Sequence, residues 1–179
     1  PKIQVSRKYI TASKYLERLV TNDNCTHINV ISRGKSYTMG NWDGPFYQHG
    51  SKHGVRYNHP CFLTDDKKIL LTSDKSNTDN FEIHSSFSNK MIKRLKSKCG
   101  RVISMKKSPT KDIFGIINHK HELLLLDSNK DTIKQIDRSK YSPLSFNWSP
   151  CGNFVTYSCS NNFKCRVIKI YDIKKSKKH

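Results

Sequence analysis

Arg101-Val102-Ile103-Ser104-Met105, Ile113-Phe114-Gly115-Ile116-Ile117, Glu122-Leu123-Leu124-Leu125-Leu126 and Thr132-Ile133-Lys134-Gln135-Ile136 are four short apolar-rich runs that follow one another within residues 101–136. Each is strand length and too short for a helix, and polar connections rich in Asn, Asp, Ser and Lys divide them. The third run is apolar without a break, the pattern of a strand buried on both faces. The fourth alternates imperfectly, as an outer, half-exposed strand does. Read together, they predict one antiparallel sheet of four strands.

Working outward, the connection Ser108-Pro109-Thr110-Lys111 has counterparts in Thr21-Asn22-Asp23-Asn24, Thr64-Asp65-Asp66-Lys67 and Ser149-Pro150-Cys151-Gly152, so the turns recur at intervals of 43, 44 and 41 residues. That period is the length of one four-stranded propeller blade. The flanking runs repeat with it. The second unit reads Pro60–Leu63, Ile69–Thr72, Phe81–His84 and Met91–Leu95; the first reads Tyr15-Leu16, Ile28–Ile31, Ser36–Met39 and Pro45–Tyr47. The last shows only Leu144–Trp148, Phe154–Tyr157 and Arg166–Ile170 before a run of lysines. No long run has helical periodicity with caps. The chain is therefore expected to be all-β: a partial β-propeller with blades at about residues 12–50, 55–97, 100–139 and 142–173, the last lacking its outermost strand, and a basic tail at 174–179. Propellers protect their sheet edges by closing a ring of at least four and usually more blades, so this arc reads as a fragment of a larger ring.

Composition narrows the function classes. The chain has 179 residues, with 33 Lys and Arg against 14 Asp and Glu, a formal charge of +19. Such an excess attracts nucleic acid or anionic surfaces without specifying a fold. It is densest between Lys90 and Lys111, where no acid interrupts nine basic residues, and in Lys174-Lys175-Ser176-Lys177-Lys178-His179. A solvated lysine-rich surface accounts for it, and nucleic acid as a partner has only weak support. Six cysteines without a C-x-x-C pair read as buried, reduced thiols. The N-terminal Pro1–Ile10 has no apolar run like a signal peptide and no eighteen-residue apolar span occurs, so a cytoplasmic, non-membrane protein is expected.

Catalytic motifs are absent from the pattern. Gly50-Ser51-Lys52-His53-Gly54 puts its serine beside the first glycine and not two residues after it, so it is no nucleophile elbow. Gly34-Lys35-Ser36 echoes the end of a phosphate loop, yet Asn29 stands where the earlier glycine is required. His119-Lys120-His121 would set two imidazoles on one face of a strand, but Glu122 falls on the opposite face and no further ligand can be named, so a polar turn is the better reading. Asp65-Asp66 belongs to a repeat turn. No catalytic, cofactor-binding or metal-binding residue is assigned. Arg56-Tyr57 and Phe163-Lys164 interleave aromatic with basic residues only weakly. Trp42 and Trp148 are expected to pack between blades.

Ala12-Ser13-Lys14-Tyr15-Leu16, Ser32-Arg33-Gly34-Lys35, Met39-Gly40-Asn41-Trp42-Asp43-Gly44-Pro45, Gly54-Val55-Arg56-Tyr57, Asn118-His119, Glu122-Leu123-Leu124-Leu125 with Asp127, Asp137-Arg138-Ser139 and Trp148-Ser149-Pro150 together resemble the propeller region of tricorn-type proteases. Cys151-Gly152 departs from the family's Asp-Gly there. The resemblance implies the junction into, and early blades of, the second of two propellers. In that family the propellers precede a PDZ-like domain and a serine-protease domain, in a large cytoplasmic oligomer that cleaves short peptides, and they act as gate, channel and assembly surface. The catalytic serine, histidine and glutamate have no counterparts here. The implied function is the substrate-channelling and scaffolding part of a tricorn-like serine peptidase, with peptides, the remaining propeller and protease domains and further copies of itself as partners. The alternative is a free-standing propeller-type binding module whose cationic face holds an acidic protein or nucleic acid.

Overall fold

The computed structural model describes Tyr9 and residues 11–50, 54–76, 78–140, 144–160 and 165–178. Among these residues, after a 3-10 turn at Ala12–Tyr15, sixteen strands form four antiparallel sheets of four, each meandering in sequence order. The first blade comprises β1 (Leu16–Thr21), β2 (His27–Ser32), β3 (Lys35–Gly40) and β4 (Tyr47–His49). The second is β5 (Tyr57–Phe62), β6 (Lys68–Ser73), β7 (Asn80–Ser85) and β8 (Met91–Arg94). The third is β9 (Val102–Lys107), β10 (Ile113–Asn118), β11 (Glu122–Asp127) and β12 (Thr132–Arg138). The fourth is β13 (Ser145–Trp148), β14 (Phe154–Ser160), β15 (Arg166–Asp172) and β16 (Lys177–Lys178). The four runs of residues 101–136 are thus the four strands of one blade.

Three apolar clusters hold the arc together, one at each junction between blades, and the alternation of strands explains them. On β11, Leu124 and Leu126 face blade 2 with Leu70, Phe81, Phe114 and Ile116, while Leu123 and Leu125 face blade 4 with Phe146, Val155, Tyr157 and Tyr171. A strand sandwiched between two neighbouring sheets must be apolar at every position, hence the unbroken leucines. Likewise, Ile69 and Leu71 of β6 join Ile31 and Tyr57 in the third cluster. Gly115 lets blade 4 approach, because a Cβ there would run into the Phe146 ring.

Three expectations change. The fourth blade is short of a full outer strand but not without one: Lys177 and Lys178 pair with Asp172 and Tyr171, so part of the basic tail is β16, while the outer edge of Arg166–Ile170 has no pairing among the described residues. Trp42 does not pack between blades; it stands 96% exposed in the β3–β4 connection. Trp148 does, half-buried against the blade 3–4 cluster, with its indole N–H donating to the Lys106 carbonyl of blade 3 at 3.0 Å. Of the cysteines, Cys99 and Cys159 are buried, Cys61 is half-buried, and Cys25, Cys151 and Cys165 are exposed in connections; none is in a disulfide.

Candidate functional site: a cleft on the blade axis

The first strand of each blade is an edge of its sheet, and β5 meets both β1 and β9, so these three inner strands line the axis of the arc. β5 carries the irregularity that shapes it. Its pairing with β6 skips between Asn58 and Cys61, and His59 at φ 50 sits in the bulge. A bulge re-aims one side chain out of the alternation, and Pro60, which cannot donate to the ladder, suits such a site. His59 is 5% exposed. Its Nδ1 lies 3.3 Å from Thr72 Oγ1, and its Nε2 lies 3.2 Å from the Ile103 carbonyl of β9 and 3.4 Å from the Arg18 guanidinium of β1. One imidazole thereby touches three blades. Burial and the Arg18 charge push its pKa below the usual histidine value, so the ring is neutral. Nε2 stands between a donor and an acceptor, and one tautomer serves Arg18 while the other serves Ile103. The Thr72 hydroxyl, 2.9 Å from the Asn58 carbonyl, can turn its hydrogen to suit either.

Arg18 and His59 divide the axis into two cavities. On one side is a cleft of about 700 Å³ whose lining includes Arg18, Arg56, Arg101, His119, Asp74 and Asp79. On the other is a hollow of about 320 Å³ walled by Val20, Phe62 and Met105, where Lys107 of blade 3 reaches across to Asp23 of blade 1, Nζ to Oδ2 3.1 Å. Both cavities are open clefts of the size that takes small ligands.

A second polar cluster is buried between blades 1 and 2. On β7, Phe81 and Ile83 face blade 3, and the alternate residues Glu82 and His84 face blade 1. Glu82 accepts from Ser73 Oγ at 2.9 Å, from Arg94 at 2.6 Å and from His84 Nε2 at 3.1 Å. Burial alone would raise this carboxyl; the bonds from His84, Arg94 and Ser73 outweigh it and hold it near 2. Across the junction, His49 Nε2 meets Thr38 Oγ1 at 2.6 Å, and Asn29 links Thr38 to Ser36. Burial and the neighbouring His84, ring centroids 5.4 Å apart, push His49 down to about 4. Ser73, Glu82 and His84 are a serine, an acid and a histidine, but the carboxylate stands in the middle. A base must lie between nucleophile and acid for proton transfer, so this cluster is structural.

Of the residues considered from sequence, Arg56 and His119 line the larger cleft, and the others fall elsewhere. His119 and Lys120 form the β10–β11 turn with His121, outside any strand, in agreement with the turn reading; Asn118 Oδ1 caps the turn by accepting from the amides of Lys120 and Glu122. Among the described residues no group of three or more His, Cys, Asp or Glu could hold a metal ion. Gly34 lies in the β2–β3 turn, and Ser36 is buried against Asn29. Asp65 pairs with Lys68 at 2.8 Å, and Asp66 accepts from Asn24 of blade 1 at 2.8 Å. Tyr57 is buried and offers no stacking surface. Ser51–His53, Phe163-Lys164 and His179 lie outside the described residues. The sequence reading passed over Arg18, His59 and Arg101; the proline inside an inner strand was the available signal for the bulge.

Comparison with known proteins agrees with this architecture. The family model described as the tricorn protease second beta propeller domain matches residues 16–179. A tricorn-like protease C-terminal subunit of Sulfurisphaera tokodaii is 30% identical over 93% of this chain and 19% of its own length. A tricorn protease homolog of Saccharolobus solfataricus is 30% identical over 93% of this chain and 15% of its own. The chain therefore spans less than a fifth of the curated relatives it matches. Among solved structures, tricorn protease superposes with a TM-score of 0.79 at 18% identity, covering 93% of this chain and 16% of that one. TolB from Acinetobacter baumannii gives 0.66 at 14% identity, covering 92% and 42%.

Proposed function

This chain belongs to the tricorn protease family as a piece of its second β-propeller domain, and from that premise we propose that its axial cleft is a passage for short peptides on their way to a protease domain carried elsewhere. The observation that carries the reading is the pair of cavities on the axis, separated by Arg18 and His59. A propeller axis lined by three inner strands offers backbone and charged groups to an extended peptide without a fixed register, which suits transit better than tight retention. The blades position the peptide, and the remaining propeller and protease domains, in a cytoplasmic oligomer, supply hydrolysis. The chain by itself is expected to cut nothing, since the hydroxyl–histidine contacts of Thr38 with His49 and of Thr72 with His59 are buried out of reach of a substrate.

The test is to titrate short uncharged-dye-labelled peptides into the chain while following backbone amide shifts. Peptides should move the amides of Arg18, His59 and Ile103 and should emerge intact. Shifts confined to the outer strands, or hydrolysis that survives removal of contaminants, would count against the passage. A second reading, a free-standing module that holds an acidic partner, is favoured by the exposed Lys174, Lys175, Lys177 and Lys178 beside the open part of β15. Binding of polyanions at that edge with none of peptides on the axis would select it.

A further inference from the structure

We propose that the 700 Å³ side of the axis is a carboxylate subsite, in which Arg18 and Arg101 hold the carboxylate of a short peptide. The inference rests on the passage reading and adds the chemistry that the passage recognises. It follows from counting which charges in the cleft are already committed. Arg56 is paired with Glu17 at 3.1 Å. Asp74 accepts the Arg56 amide at 2.7 Å, and Asp79 accepts the Val102 amide at 2.7 Å, so both acids are drawn against the wall by the backbone. Arg18 has the neutral His59 as its side-chain partner, at 3.4 Å. The Arg101 guanidinium has no acidic partner among the described residues. Among the described residues, two exposed guanidiniums thus remain without a carboxylate, Arg18 on β1 and Arg101 just before β9, both lining this cleft.

His119 adds a donor. Its Nδ1 accepts from the Arg101 amide at 3.1 Å, which fixes the ring hydrogen on Nε2. Gly100, at φ +77, leaves the space that the ring occupies; a Cβ there would fall 2.5 Å from its Cε1. The cleft lining therefore presents an excess of hydrogen-bond donors from Arg18, Arg101 and His119. Guanidinium groups bind planar carboxylates through paired N–H donors, more strongly than they bind neutral amides. The carboxylate has two sources in a peptide, its C-terminus and an Asp or Glu side chain.

The experiment separates them. Tetra-alanine carrying an uncharged fluorophore at its N-terminus is titrated into the 179-residue chain in three forms: free acid, C-terminal amide, and amide with one alanine replaced by aspartate. The free acid should bind at least about tenfold more tightly than the plain amide, with the preference shrinking as salt rises. Rescue of the amide by aspartate shows that either carboxylate is accepted; failure of rescue restricts the site to the terminal one. Arg101→Gln and Arg18→Gln, both at exposed positions, should abolish the acid preference while leaving the circular dichroism spectrum unchanged. Equal binding of acid and plain amide overturns the carboxylate subsite and leaves the passage standing. No binding of any peptide overturns both.

Discussion

Glu82 is an ionised side chain with 1% of its surface in contact with water, and it is tolerated there because Ser73, His84 and Arg94 all donate to it. Removing it strands those donors. Glu82→Ala should therefore destabilise by roughly 3–5 kcal/mol, read from urea unfolding, whereas a cost within about 0.5 kcal/mol would show that this cluster adds little to the hold between the strands of blade 2. The junction with blade 1 makes stability pH-dependent. His49 titrates near 4 when folded, against 6.5 unfolded. Between those values the unfolded chain binds a proton that the folded chain refuses, so stability is full above pH 6.5 and falls as pH drops toward 4. The slope from this one residue is about 1.4 kcal/mol per pH unit. Glu82 acts lower, contributing stability above its unfolded value of 4.5 that is lost as pH falls through about 2. His49→Gln should flatten the decline of the melting temperature between pH 6.5 and 5. A decline of undiminished slope in that variant would mean that another group carries it.

At the scale of strands and turns, the first turns of blades 1, 2 and 3 grip one another in succession. Asn24 bonds Asp66, and Asp112 Oδ1 accepts both the amide and the hydroxyl of Thr64 at 2.8 Å. Asp112→Ala should cost about 1–2 kcal/mol, measurable as a lowered denaturant midpoint with an unchanged slope. Gly115→Ala should cost about 1–3 kcal/mol by pushing the Phe146 ring, and blade 4 with it, away from blade 3. These turns are also what made the fold legible, since polar turns at a near-constant interval and unbroken runs such as Leu123–Leu126 follow directly from sheets stacked on both faces. The axial cleft was not legible for an equally physical reason. Arg18, Arg56 and Arg101 are 38 and 45 residues apart in sequence, each looks like one more surface cation in a basic chain, and only the packing of inner strands brings them to one wall. Trp42 misled because a large aromatic is normally buried, although the Gly-Asn and Asp-Gly-Pro that flank it mark an exposed connection. The two-residue β16 escaped notice because lysines have low strand propensity, and pairing beyond a turn recruited them regardless.

For the whole molecule, the distribution of burial sets a gradient of order. β6, β7, β10 and β11 are buried on nearly every residue, while β1 and most of β15 are exposed or half-exposed. Native-state hydrogen exchange should accordingly be slowest in β6, β7, β10 and β11 and faster by orders of magnitude at Leu16–Leu19 and Arg166–Ile170. Uniform protection across the four blades would contradict this. A row of blades that touch only adjacent blades behaves as a one-dimensional chain of coupled units, and such a chain frays from its ends one unit at a time. The Lys107–Asp23 bridge breaks that rule, because it connects blade 1 to blade 3 past the blade between them. Detaching the first blade then weakens the third as well as the second, so partial states are penalised twice and the melt of the arc sharpens toward a single step.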